Sequence, residues 1–421
     1  MRKKIKRIID HPLISGSIII FLGSISTSFL NFTFNLYMTR NLSISDYGAL
    51  ASLFSLMTLF GLISGAFLPT IVTFAGGYFA KKEYDNVRGL FYKIGSISFF
   101  IGFSVFIGFF LFSSVIGAFF RIREVYLIPL AGFMVLLGYM SLINTALLQA
   151  KLAFTFLSFM NFLSGILRLA LGIIFVLSGF KIAGALWASA LSGFVSYLVT
   201  FIPLRFILSF RTRAPQIEVG KIVAYGTPAA ISLLCLTSFV TIDIMLVKHF
   251  FDSESAGVYA GVSLIGRIVF FLTAPIGMVM FPLIVQRRAK QENYHKDFIL
   301  ALLLVLIPSL VLTTAYFLIP EFILELATRS DYVQGASLLG IFGIFSTLYA
   351  LLYLFTNFYL SIRETKIFLP IAIGAVSQAL LIWFFHNSFQ QIITISIGVT
   401  SLLLMVLLLY YWQLYEKTAT N

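Results

Sequence analysis

The stretch Ile94–Phe119, IGSISFFIGFSVFIGFFLFSSVIGAF, holds no charged residue. A helix rises 1.5 Å per residue, so about 20 apolar residues cross the hydrocarbon of a bilayer. A backbone in lipid must satisfy its own polar groups, which makes such a segment helical. The same pattern recurs along the whole chain. We read twelve spans: Leu13–Met38, Tyr47–Ala75, Ile94–Phe119, Leu127–Leu148, Ala153–Ser178, Ile182–Leu208, Thr227–Phe250, Gly257–Val285, Phe298–Ile319, Val333–Leu360, Ile367–Phe385 and Gln391–Trp412. The composition agrees, with 60% hydrophobic and 11% charged residues and a mean hydropathy of +1.00. The short alternating segments of a strand barrel are absent from the sequence.

Basic residues set the orientation. Of the 29 Lys and Arg, 21 fall in the N-terminal segment, alternate loops and tail. Six fall in the opposite set: Arg40, Arg121, Arg123, Lys181, Lys248 and Arg329. The positive-inside rule then places both termini in the cytoplasm of a multi-pass cell-membrane protein. The net charge of +13 is a topology signal. No soluble basic domain exists to carry nucleic acid, so none is expected as a partner. Met1–Arg7 and the apolar run behind it read as a retained first helix, because the run is too long for a signal peptide. The single Cys235 excludes an internal disulfide.

Loops are short, and the longest basic connection, around Ser209–Ala224, divides the chain near its middle. This predicts an N-terminal six-helix lobe over 1–212 and a C-terminal one over 213–421. Asn35–Arg40 ends span one as Asp243–Lys248 ends span seven, 208 residues later (243 − 35). Each is followed by a polar loop, an apolar span and a basic loop. Six spans per half is even, so both halves enter the membrane in the same direction, as parallel repeats do.

Charges inside spans are costly and face a partner or a cavity. Three stand out: Arg168, Asp243 and Arg267. On span five, Asn161, Ser164, Gly165 and Gly172 share the face of Arg168. Its guanidinium suits either a forked contact to phosphate or a structural tie to neighbouring helices. Asp243 lies about 10 Å and Arg267 about 15 Å below the outer surface on one hairpin. They are within reach of a fixed ion pair, and equally of a carboxylate that changes partner or proton during a cycle. Ser17, Ser24, Ser28, Asn31 and Asn35 line one face of span one, as helix packing or as a cavity wall. Pro69, Pro228, Pro275, Pro282 and Pro308 start or interrupt spans. No His or Cys cluster, carboxylate pair or nucleophile–base set accompanies the charges. No catalytic residue, metal site or cofactor is therefore expected.

Two motifs carry a resemblance. Arg40-Asn41-Leu42-Ser43-Ile44-Ser45-Asp46-Tyr47-Gly48 is similar to the R-x-L-S-x-x-x-Y-G run of polysaccharide flippases. Ile242-Asp243-Ile244-Met245-Leu246 with Ala256-Gly257-Val258-Tyr259-Ala260 resembles their D-x-x-(L/M)-L … G-x-Y-x-A pattern. Leu148-Gln149-Ala150 and Glu364-Thr365-Lys366 agree. The resemblance, to the multidrug/oligosaccharidyl-lipid/polysaccharide exporter superfamily, implies an all-α polytopic membrane protein. Its twelve or so helices would form two six-helix lobes around a central cavity of alternating access. It implies transport of isoprenoid-pyrophosphate-linked oligosaccharide to the outer leaflet, without enzyme chemistry. Arg168, Arg267, Asn31 and Asn35 become substrate contacts. Asp243 and Lys248 become coupling or gating residues, with a proton or sodium as coupling cation and membrane lipid as a partner. Spans one and two lack the several Arg of peptidoglycan-precursor flippases, which argues against that substrate. A drug or organic-cation antiporter of the same fold is the alternative, although two intramembrane Arg against one Asp favour an anion. A multispanning glycan polymerase or glycosyltransferase is a further alternative. It would need an acidic centre, and Glu321, Glu325 and Asp331 read as a solvated loop.

Overall fold

The computed structural model describes residues 12–65, 67–208, 219–289, 291–362 and 364–419. Each of the twelve expected spans is helical, and no strand occurs among the described residues. Nine helices there are long and apolar enough to cross a membrane, and a bent pair makes a tenth. The other two expected spans are the 30-residue helix Pro12–Asn41 and the 17-residue helix Phe368–Phe384. The protein is a multi-pass membrane protein.

Five expected spans are broken among the described residues; span six is Lys181–Val199, Phe201–Leu204 and the 3-10 turn Arg205–Leu208. Span two is Ile44–Gly65 and Leu68–Ala80, and span three Tyr84–Leu111 and Ser113–Phe119. Span seven is Val219–Ser238 and Ile242–Phe250, and span eight Ser253–Gly266 and Ile268–Ala289. Pro69 stands in the first turn of its helix, where a missing N–H costs nothing. The break in span seven bends the chain by 44° at Phe239–Thr241, with no proline nearby. Pro308, by contrast, lies inside an unbroken helix, His295–Leu318.

Packing groups the chain into two compact units. The first is Met1–Leu42 with Leu56–Ala230; the second is Ser43–Ser55 with Ile231–Asn421. The start of span two therefore packs with the second unit. In the first unit, Leu127–Ala150 is the inner helix, with 67% of its apolar window buried, and Tyr84–Leu111 lies outside at 22%. In the second unit, Ser330–Ser361 is inner at 72% and His295–Leu318 outer at 28%. Spans four and ten thus play one part, and spans three and nine another.

The repeat extends to single contacts. A Cβ on Gly132 would strike Phe109 at 2.6 Å, and one on Gly340 would strike Phe317 at 2.6 Å. Both members of the second pair are shifted by 208 residues (340 − 132 and 317 − 109). The helix caps correspond too. Ser43 Oγ accepts the Asp46 amide, and Asp252 Oδ1 accepts the Ser255 amide, a shift of 209 (252 − 43 and 255 − 46). Such caps satisfy amides that the first helical turn leaves open.

The two motifs meet inside the second unit. A Cβ on Gly48 would lie 2.9 Å from the Gly257 backbone, and one on Gly257 would lie 2.0 Å from the Ile44 carbonyl oxygen. Only glycine lets these two helix starts touch. Beside them the rings of Tyr47 and Tyr332 meet edge to face, with centroids 6.5 Å apart. Tyr332 in turn covers Gly261, where a Cβ would fall 2.3 Å from its ring.

Candidate functional site

In the first unit the site is built on spans one and five, which pack closely along their length. Gly165 sits against Leu30, and Gly172 against Phe34 and Met38. The glycines bring the two backbones together, and Arg168 lies between them on the same helix. Its Nη1 donates to Asn31 Oδ1 at 3.1 Å. The Phe34 ring lies under the guanidinium, 4.1 Å from its centroid. A cation on a ring face is worth about 2 kcal/mol where water is excluded. Asn35 turns back along its own helix and donates Nδ2 to the Asn31 carbonyl at 2.8 Å. Span one thus offers Arg168 an amide oxygen and an aromatic face. Asn161, expected on the same face of span five, is exposed.

In the second unit the site lies at two helix breaks. Asp243 is in the first turn of Ile242–Phe250, where a helix dipole favours negative charge. Arg267 is the residue between Ser253–Gly266 and Ile268–Ala289. Gly266 lets the chain pass Phe342 there, since a Cβ would lie 2.6 Å from that side chain. Arg267 Nη2 reaches both Asp243 oxygens, at 3.0 and 2.8 Å. The Tyr259 hydroxyl donates to Asp243 Oδ2 at 3.0 Å. Asp243 is 1% exposed and Arg267 13%, so the pair is buried. Taking both charges out of water is costly, and their contact and the added hydroxyl offset that cost in part.

The structure brings Asn31 to Arg168 and Asp243 to Arg267. Lys248, on the helix of Asp243, is 1% exposed. Five residues separate them, which is about 140° around a helix. The sequence reading missed three features. Tyr259 stands in the quoted motif, but nothing in its spacing marks it as a carboxylate donor. Phe34 is one of 47 Phe. Gln378 Nε2 donates to the Phe239 carbonyl at 3.2 Å and to Ser396 Oγ at 2.8 Å. This tie joins span seven to span eleven, where the first unit joins span one to span five. No group of three or more His, Cys, Asp or Glu placed to hold a metal ion occurs among the described residues.

A family model described as "Polysaccharide biosynthesis protein" matches residues 37–334. No curated protein matches the chain. Among solved structures it is similar to an inward-facing multidrug resistance MATE family transporter of the MOP superfamily. Identity is 14%, covering 96% of this chain and 98% of that one, with a TM-score of 0.70. It is equally similar to the lipid II flippase MurJ in an inward closed conformation, at 16% identity, 94% and 87% coverage and a TM-score of 0.70. A MOP superfamily transporter from Pyrococcus furiosus matches at 13% identity, 96% of each chain and a TM-score of 0.65. These likenesses establish the fold, and the family model covers Arg168, Asp243, Lys248, Tyr259 and Arg267 but not Asn31, Phe34, Asn35, Gln378 or Ser396. The chain belongs to the polysaccharide biosynthesis protein family.

Proposed function

We propose that the protein moves an isoprenoid-pyrophosphate-linked oligosaccharide from the cytoplasmic to the outer leaflet by alternating access of its two six-helix lobes, 1–212 and 213–421. The setting is the cell membrane, with both termini cytoplasmic. The observation that carries this is Arg168, a guanidinium held by Asn31 and Phe34 on an otherwise apolar helix. Charged headgroups and sugars lose their hydration in hydrocarbon, and fixed polar partners must replace it. A planar fork of donors suits the pyrophosphate. The isoprenoid tail needs no such help and stays among lipids.

Asp243 and Arg267 then serve the cycle rather than the first grip on substrate. Both carboxylate oxygens already lie on Arg267 Nη2, so Arg267 meets an anion only when that pair opens. Protonation of Asp243, or a competing cation, would open it; Lys248 on the same helix would move with it. Deleting the gene tests the proposal. A lipid-linked glycan should accumulate on the cytoplasmic side, and the wild-type chain should restore export where Arg168→Ala does not. Unchanged glycan pools, together with conferred resistance to cationic dyes, would instead point to an organic-cation antiporter.

A further inference from the structure

The second unit holds a cleft of about 550 Å³. That lies within the about 300–1,000 Å³ of ordinary small-ligand sites. Three connections meet there, joining spans seven to eight, nine to ten and eleven to twelve. Asp252, Glu254, Gln334, Ser337, Phe389 and Gln390 are among its lining residues, and no lining residue is basic. This is a local reversal in a chain with 29 basic and 16 acidic residues.

The polar groups divide into those already engaged and those still available. Asp252 Oδ1 is engaged as the cap of Ser253–Gly266, accepting from Glu254 and Ser255, and so fixes one wall. Gln334 Nε2 donates to the Asp331 carbonyl at 2.9 Å, which holds the amide in place. The Gln334 oxygen, the exposed Glu254 carboxylate and the Ser337 hydroxyl face solvent-accessible space. Carboxylates and amides accept from hydroxyls, and Phe389 and Leu338 supply apolar surface for C–H faces. A phosphate would meet carboxylates there with no cation to offset them.

We infer that this cleft is a saccharide subsite, taking neutral sugar of the transported glycan. The inference rests on the proposed function and adds a second contact to it. The cleft also touches the ion pair through one ring. Phe389 lies 5.4 Å from Tyr259, centroid to centroid, and Tyr259 holds Asp243. A sugar pressing on Phe389 is therefore two side chains from the Asp243–Arg267 bond.

The test uses the full chain in lipid nanodiscs. The probes are inorganic pyrophosphate and the glycan freed by mild acid from the lipid-linked pool of the producing cells. Saturation-transfer NMR should show the freed glycan binding to the wild-type chain. Ser337→Trp, which fills the cleft from an exposed position, should weaken that binding by about ten-fold, the equivalent of one or two hydrogen bonds. It should leave pyrophosphate binding unchanged. Glu254→Gln with Gln334→Ala is the milder second variant and should act in the same direction. A glycan that fails to bind, or that binds both variants as it binds wild type, overturns the subsite. The transport reading is judged separately, by whether cells lacking the protein accumulate lipid-linked glycan.

Discussion

The first unit ties span one to span five with a guanidinium; the second ties span seven to span eleven with an amide. Asn31 corresponds to Phe239 (239 − 31 = 208) and Arg168 to Gln378 (378 − 168 = 210). Both ties hold the same two helices of their repeat together. The scaffold has kept the contact and changed the chemistry. In the second unit the positive charge sits elsewhere, on Arg267, beside a carboxylate at the position that matches Asn35. One unit therefore offers a cation that bonds the Asn31 amide and rests on the Phe34 ring. The other offers a cation bound to an anion. The two units repeat contacts and differ in charge.

The second unit's pair is where the contrast breaks most sharply. Arg267→Ala or Asp243→Ala strands a buried charge, which costs about 3–5 kcal/mol. Thermal unfolding in detergent should fall steeply for each single variant. Asp243→Leu with Arg267→Met should regain most of the loss, since apolar replacement of a buried pair is often neutral. Single variants as stable as wild type would mean that the pair is not buried in the membrane.

Arg168 should behave in the opposite way, affecting transport more than stability. Losing a charged hydrogen bond costs about 1.5–3 kcal/mol, or roughly 10- to 100-fold in pyrophosphate affinity. Arg168→Lys keeps the charge and loses the fork, so it should fall between alanine and wild type. Full glycan export by both variants would remove the substrate role.

The motif glycines give a third, smaller effect. Gly257→Ala drives a methyl into the Ile44 carbonyl oxygen, and overpacking of this kind costs about 1–3 kcal/mol. Gly61, on the same span as Gly48, has open space where a Cβ would go. Gly61→Ala should be neutral or stabilising by up to about 1 kcal/mol. Equal unfolding temperatures for the two variants would disconnect the motifs.

The caps provide the mildest comparison. The Asp252 carboxyl is held below its ordinary range by the Ser255 hydroxyl and then the Ser255 amide. Its folded value is depressed, so its contribution is present above the unfolded carboxyl range and fades as pH falls through the folded one. The group is exposed, so Asp252→Ala should cost about 0.5 kcal/mol, the low end for a lost cap. Hydrogen exchange at the start of Ser253–Gly266 should quicken near neutral pH, and the difference from wild type should vanish in acid.

The spans were legible because apolar length alone dictates them. The 208-residue repeat was legible from Asn35 matching Asp243 (243 − 35). The breaks at Phe239–Thr241 and at Arg267 were not, because neither carries a proline and both keep apolar neighbours. Arg168 and the Asp243–Arg267 contact could be anticipated, since buried charges must find partners. Tyr259, Phe34 and Gln378 could not, because a tyrosine, phenylalanine or glutamine in an apolar span has several satisfactory surroundings. The grouping of 43–55 with the second unit depends on contacts some two hundred residues away in sequence.

That grouping has a consequence for biogenesis. Gly48 leaves the ribosome 209 residues before Gly257 (257 − 48). At about 5–20 residues per second, its neighbour is synthesised roughly 10–40 s later. Until then the glycine-bearing end of span two must be sheltered by lipid, by the insertion machinery or by an interim neighbour. A chain truncated after the first six helices would leave that end without the Gly257 backbone it packs on.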